Sequence, residues 1–208
     1  MRRVSLIIVA ILLITSAGWA QDGAGTISFY ANTGMTLPVQ PEALSDYWNS
    51  GLNFGGGIGY DFSKYVAMQG YFNYNTFGFN KDKFSDDFGI SSVEGGGFKI
   101  ITAMVNVKAS FIARGNKVIP YFIGGLGMFS MSEDDITYLF NTYPGDSKTT
   151  LGSVIGFGID FMLMENAGIF AEFSGGAGAV ELETGIPGTE DGPVGYGPLK
   201  IGAFFQLK

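Results

Sequence analysis

The feature that most limits this chain is a period of two in its apolar residues. Leu52, Phe54, Gly56, Ile58, Tyr60 and Phe62 alternate with Asn53, Gly55, Gly57, Gly59, Asp61 and Ser63. Successive side chains of a strand point to opposite faces, so this segment reads as a strand with one apolar, aromatic face and one glycine-rich, polar face. The same alternation runs from Ile101 to Phe111, from Ser153 to Leu163 and from Leu199 to Lys208. Shorter versions lie at Ile27–Met35, Val66–Thr76 and Ile169–Phe173. An eighth segment, Ile119–Phe129, carries glycine on both faces and leaves its orientation open. The chain is therefore expected to be all-β.

The connections have a rhythm of their own. Ser63–Tyr65, Arg114–Lys117 and Met164–Asn166 are short, whereas Pro38–Ser50, Asn80–Gly95, Ser132–Lys148 and Glu181–Gly195 are long. Strict alternation of tight turns and long loops is the habit of a transmembrane barrel, with short turns on the periplasmic side and long loops outside. Charge sorts in the same way. The long connections hold fourteen of the nineteen acids, among them Asp86-Asp87, Glu133-Asp134-Asp135 and Glu190-Asp191, against three lysines. The few strand charges fall on the polar face, as a lipid-facing wall requires. These patterns together predict an eight-stranded antiparallel up-and-down transmembrane β-barrel.

At the N-terminus, Arg2-Arg3, an apolar run to Ile14 and the small-residue stretch ending at Ala20 have the order of a secretory signal peptide. Residues 1–20 are expected to be this cleaved segment and 21–208 one barrel domain. The mature portion is acidic, which argues against nucleic acid as a partner. The chain has no Cys and no His. That removes disulfides, thiol nucleophiles and every histidine-based catalytic or zinc arrangement.

Asp61, Lys108, Asp160, Glu172 and Lys200 are the inward charges of the expected barrel. Eight strands leave an interior that side chains fill, so these groups should pair as a structural polar network and not line an open pore. Nothing in the sequence brings Asp61 and Asp160 together as a catalytic pair. The acidic loop tips have oxygen ligands for Ca²⁺ or Mg²⁺ but no D-x-[DN]-x-[DN]-G spacing; they read as solvated tips, and no metal or other cofactor is expected. Two aromatic belts are expected on the outer face. Tyr60, Phe62, Tyr65, Phe111, Tyr121 and Phe161 would form one; Phe54, Tyr74, Phe77, Phe98 and Phe129 would form the other. Tyr47-Trp48 fits neither belt, and either folds onto the rim or meets a partner.

In the order of its turns, in Gly57–Phe62, Pro120–Gly127 and Leu199–Leu207, the mature chain resembles the small eight-stranded outer-membrane barrels of the OmpA/OmpX/Opa-like superfamily. It departs from them in ending Phe205-Gln-Leu-Lys208 where the family usually ends on an aromatic residue. The resemblance implies a protein of the bacterial outer membrane, bathed in its lipid, handled by the barrel assembly machinery during biogenesis and acting as a monomer. Barrel enzymes of similar architecture rely on a catalytic histidine, so no enzyme is expected. The function expected is structural or interactive, through envelope integrity, adhesion or docking of an extracellular partner on the acidic loops. The alternative is a narrow channel or a conduit for hydrophobic solutes.

Overall fold

The computed structural model describes residues 25–90, 93–139, 141–182 and 192–207. The expected leader at 1–20 and much of the last long loop lie outside them. Eight long strands form one closed sheet: β1 Ile27–Gln40, β2 Gly51–Asp61, β3 Val66–Phe79, β4 Phe98–Ser110, β5 Val118–Glu133, β6 Ser147–Met162, β7 Ala167–Leu182 and β8 Gly192–Leu207. Each pairs antiparallel with its neighbour in sequence, and β8 returns to β1, so no long strand is left with a free edge. The register follows one row of partners from Ser28 round all eight strands back to β1 at Pro38, ten residues further along. That offset tilts the strands and sets a narrow bore.

Alternation becomes inside and outside. Val105, Leu126, Leu151, Ile155, Phe157 and Ile201 point outward and are 58–70% exposed. So wide an apolar collar is incompatible with water around it and suits lipid. Among the described residues no helix is long and apolar enough to cross a membrane; the crossing is made by strands. Tyr60, Phe62, Tyr65, Phe111 and Phe161 lie outward near the short turns, and Phe54 lies outward toward the long loops.

Four expected belt residues belong inside instead. Tyr121, Phe77, Phe98 and Phe129 are at most 2% exposed. For β5, whose phase the sequence leaves open, the structure turns Ile119, Tyr121, Ile123, Phe129 and Met131 inward. The reason is complementary volume. A Cβ on Gly57 would lie 2.5 Å from the Tyr71 ring, and one on Gly152 or Gly202 equally close to Phe129 or Phe170. Tyr71, Phe129 and Phe170 thus each lie against a glycine of a nearby strand, and Tyr121 against Gly158 in the same way, a close approach that any other residue would block.

The long connections carry structure of their own. The first forms helix α1 (Glu42–Tyr47) and a two-residue strand, Trp48–Asn49, that pairs with Gly78 and Phe79. The second forms helix α2 (Lys81–Phe88), opened by Asn80, whose side chain accepts a hydrogen bond from the Lys83 N–H. A small antiparallel sheet joins Val93–Gly95, Ile136–Tyr138 and Asn141–Tyr143 above the rim.

Candidate functional site

The polar layer is built from inward positions of six strands and one turn. Lys108 on β4 reaches Asp160 on β6, with Nζ 2.9 Å from Oδ1 and 2.7 Å from Oδ2. The same ammonium lies 3.7 Å from the centre of the Tyr121 ring, a cation–π contact that offsets part of its desolvation. Glu172 and Lys200 face each other in register on β7 and β8. Lys200 Nζ donates to Oε1 at 2.8 Å, and the Tyr121 hydroxyl donates to Oε2 at 3.0 Å. Asp61, at the end of β2, accepts from the Arg114 guanidinium. All five residues singled out from the sequence are buried, at 2–7% exposure. The structure brings four of them into two ion pairs and gives the fifth to Arg114.

Arg114 is the residue that sequence reading missed, because it sits in a short turn and was counted with the connection. Charge parity holds the signal for it. The inward strand charges are three acids against two bases, and an unpaired buried carboxylate is expensive, so a base from the adjacent turn completes the set. A second missed feature is an amide chain. The Tyr71 hydroxyl donates to Asn32 Oδ1 at 2.9 Å, Asn32 Nδ2 to Asn53 Oδ1 at 2.5 Å, Asn53 Nδ2 to Asn75 Oδ1 at 2.6 Å, and Asn75 Nδ2 to the Ile100 carbonyl at 3.1 Å. Three asparagines on the polar faces of consecutive strands were legible as residues, but not as a chain.

Toward the long loops the interior turns apolar. Leu44, Trp48, Phe77, Phe79, Phe84, Phe98, Phe129 and Tyr196 belong to one buried cluster. Tyr47-Trp48 resolves here as part of the rim. Trp48 is 2% exposed, packs edge-on against Phe79 with centroids 5.1 Å apart, and donates from Nε1 to the Gly96 carbonyl at 2.7 Å. Gly96 itself has a φ of +78°, and a Cβ there would lie 2.8 Å from the Phe79 ring, so this anchor needs glycine. Tyr47 donates to Asp87 on α2 at 3.0 Å, tying the first two loops together.

Above the collar the surface is acidic. Glu133, at the loop end of β5, has its carboxyl pushed up to about 7 by burial first and by the neighbouring Asp146 second. Lys99 pairs with Asp134 at 2.7 Å and Lys83 with Asp46 at 3.4 Å, both exposed. Among the described residues no three acids gather as a metal site.

A closed eight-stranded wall, an apolar collar and a filled interior define an outer-membrane barrel, and the family follows. Residues 7–191 match the outer membrane protein beta-barrel domain, and the chain belongs to that family. In fold it is similar to Neisserial surface protein A (15% identity, 88% of this chain and 99% of that one, TM-score 0.60). It is likewise similar to the N-terminal barrel domain of Pseudomonas aeruginosa OprF (16%, 89% and 100%, 0.54). A third similar structure is Yersinia pestis Ail, solved with the heparin analogue sucrose octasulfate (17%, 88% and 99%, 0.50). A search of curated protein sequences returns no match. Family and fold place the chain in the bacterial outer membrane, with its short turns periplasmic and its long loops extracellular.

Proposed function

We propose that this barrel is closed to ions and serves a structural and docking role, presenting a folded acidic cap at the cell surface. The observation that carries this reading is the continuity of the cap with the barrel interior. Helix α1, Trp48 and Phe84 of α2 pack into one apolar cluster with Phe98 and Phe129 of the wall, so the loops form a platform anchored in the barrel. The excess of acids over bases on that platform favours a partner with a basic surface. A polysulfated ligand such as the sucrose octasulfate in the Ail structure would meet like charge here.

Two measurements test it. In planar bilayers the purified barrel should show no steady conductance; a large, steady open state would overturn the closed reading. Cells carrying the protein should adhere better to polycation-coated than to heparin-coated surfaces, with the preference fading as salt rises.

The aromatic lining of the extracellular half favours one second reading, a conduit for hydrophobic solutes. Uptake of a long-chain alcohol into vesicles containing the barrel, against empty vesicles, would carry that reading; equal rates would remove it.

A further inference from the structure

The small sheet above the rim ends in a hairpin with an ill-suited residue at its turn. Ile136–Tyr138 and Asn141–Tyr143 pair as Ile136 with Tyr143, Thr137 with Thr142 and Tyr138 with Asn141, which leaves two positions between the strands. Hairpin turns of that length need positive φ and favour Asn-Gly, Asp-Gly or a leading Gly. Here the first of the two positions is Leu139, with a φ of +50°. Among the described residues it is the one non-glycine with positive φ. In that region Cβ crowds the following carbonyl oxygen, a cost worth about fivefold in the local opening equilibrium. Asparagine tolerates the conformation, yet the asparagine here stands two positions on, at 141, where its Nδ2 donates to the Leu139 carbonyl at 3.2 Å.

The side chain that incurs this cost is not spent on packing. Leu139 is 62% exposed, and Tyr143 on the second strand is 47% exposed. The base of the hairpin, by contrast, is held. Ile136 packs on the buried aromatic cluster, and the Thr137 and Thr142 hydroxyls lie 3.0 Å apart. The Gly96 N–H donates to the Asp135 carbonyl at 3.0 Å, and the Asp134 N–H to the Gly97 carbonyl at 2.7 Å. A tip that only meets solvent would take Asn or Gly without strain, so a strained, exposed leucine on a braced support points to use.

Acids surround the support. Glu94 is in register with Thr137, and Asp134, Asp135 and Asp146 are exposed at the base. Lys99 is taken by Asp134 at 2.7 Å, and Lys148 lies 3.6 Å from Asp146. Glu94 and Asp135 have no ion-pair partner among the described residues. Strands of three residues put the tip about 10 Å from these carboxylates. That is close to one Debye length at physiological salt, so whatever covers Leu139 feels the acids. An anionic lipid surface would meet like charge there, whereas a basic segment would be drawn in.

We propose that this hairpin is a docking post for a cationic amphipathic segment of a partner protein. The apolar side of the segment covers Leu139, and its lysines or arginines meet Glu94 and Asp135. The proposal rests on the docking reading of the acidic cap and adds to it an apolar contact that charge alone does not supply.

The barrel is placed in nanodiscs of zwitterionic phospholipid, and hydrogen exchange over residues 136–143 is the readout. The probe is a helical peptide of leucine and lysine, about fourteen residues or four turns long. A second peptide of equal charge carries serine in place of every leucine. The leucine peptide should protect 136–143 saturably, and the serine peptide should bind about tenfold more weakly. Leu139→Asn should slow exchange of the free hairpin about fivefold, by relieving the turn, while weakening the leucine peptide about tenfold. Those opposite signs separate a lost contact from a disordered hairpin. Glu94→Gln with Asp135→Asn should weaken both peptides, the Asn keeping an acceptor for the Gly145 N–H that Asp135 Oδ1 now receives at 2.9 Å. The proposal is overturned by absent or non-saturable protection, by equal affinity of the two peptides, by unchanged affinity in Leu139→Asn, or by faster exchange of the free hairpin in that variant. Equal affinity would leave the acidic platform standing; binding of neither peptide would remove both.

Discussion

Below the middle of the barrel, Lys108–Asp160, Lys200–Glu172 and Arg114–Asp61 fill the bore with paired charge. Above it, Trp48, Phe79, Phe98 and Phe129 fill the same bore with rings, and the loops descend to complete the packing. The two halves are closed by opposite chemistry, and their failure modes differ accordingly. A charge layer is intolerant of losing one partner, because the survivor is left buried and uncompensated. An aromatic layer loses stability in proportion to the surface removed and relaxes locally.

The sharpest way to break the comparison is in the charge layer. Lys108→Met leaves Asp160 buried without its cation and should cost about 4 kcal/mol. Adding Asp160→Leu should recover most of that loss, since a buried pair replaced by apolar residues of similar volume is often neutral. Urea unfolding in lipid vesicles reads both, and a double variant as unstable as the single one would contradict the pairing argument.

The matching change in the aromatic layer is Trp48→Ala, expected to cost about 3 kcal/mol and to fall on the cap. Protease should then cut between Gln40 and Gly51 while the heat-modifiable band of the barrel survives. Loss of the band would mean that the cap and the wall fold as one unit.

A smaller effect separates the cap from the barrel by pH. The Glu133 carboxyl, raised to about 7, is stabilising when protonated. Its contribution is present in full below the ordinary carboxylate range near 4.5 and is lost as pH rises through about 7. Hydrogen exchange over residues 133–147, corrected for its intrinsic pH dependence, should show roughly tenfold weaker protection at pH 8 than at pH 5. Glu133→Gln should flatten the difference, and the barrel strands should show none.

The wall was largely legible from residue order. Period two, the turn rhythm and the placement of charge specify strands, faces and their number, because a strand side chain has two directions and lipid accepts one kind. The inward charges were legible for the same reason. The phase of β5 was not, since glycine on both faces erases the contrast that reveals it. Residue order therefore sets Tyr121 and Phe129 outward, and it places the rings of Phe77 and Phe98 in the belt, whereas all four belong to the bore. Arg114 was hidden by its position in a turn, where periodicity carries no information.

By itself the sequence determined an outer-membrane barrel of eight strands, an acidic extracellular side and an interior with too few cations for its carboxylates. Only the tertiary structure decided which groups meet: Arg114 with Asp61, Tyr121 over Lys108, and Trp48 with the Gly96 carbonyl, 48 residues away. The tilt of the closed sheet carries the row of partners that starts at Ser28 ten residues along before it returns to β1 at Pro38. Neighbours in the bore therefore depend on register around the whole circle. Alternation along a single strand fixes the face of a residue and leaves its height and its partner to closure.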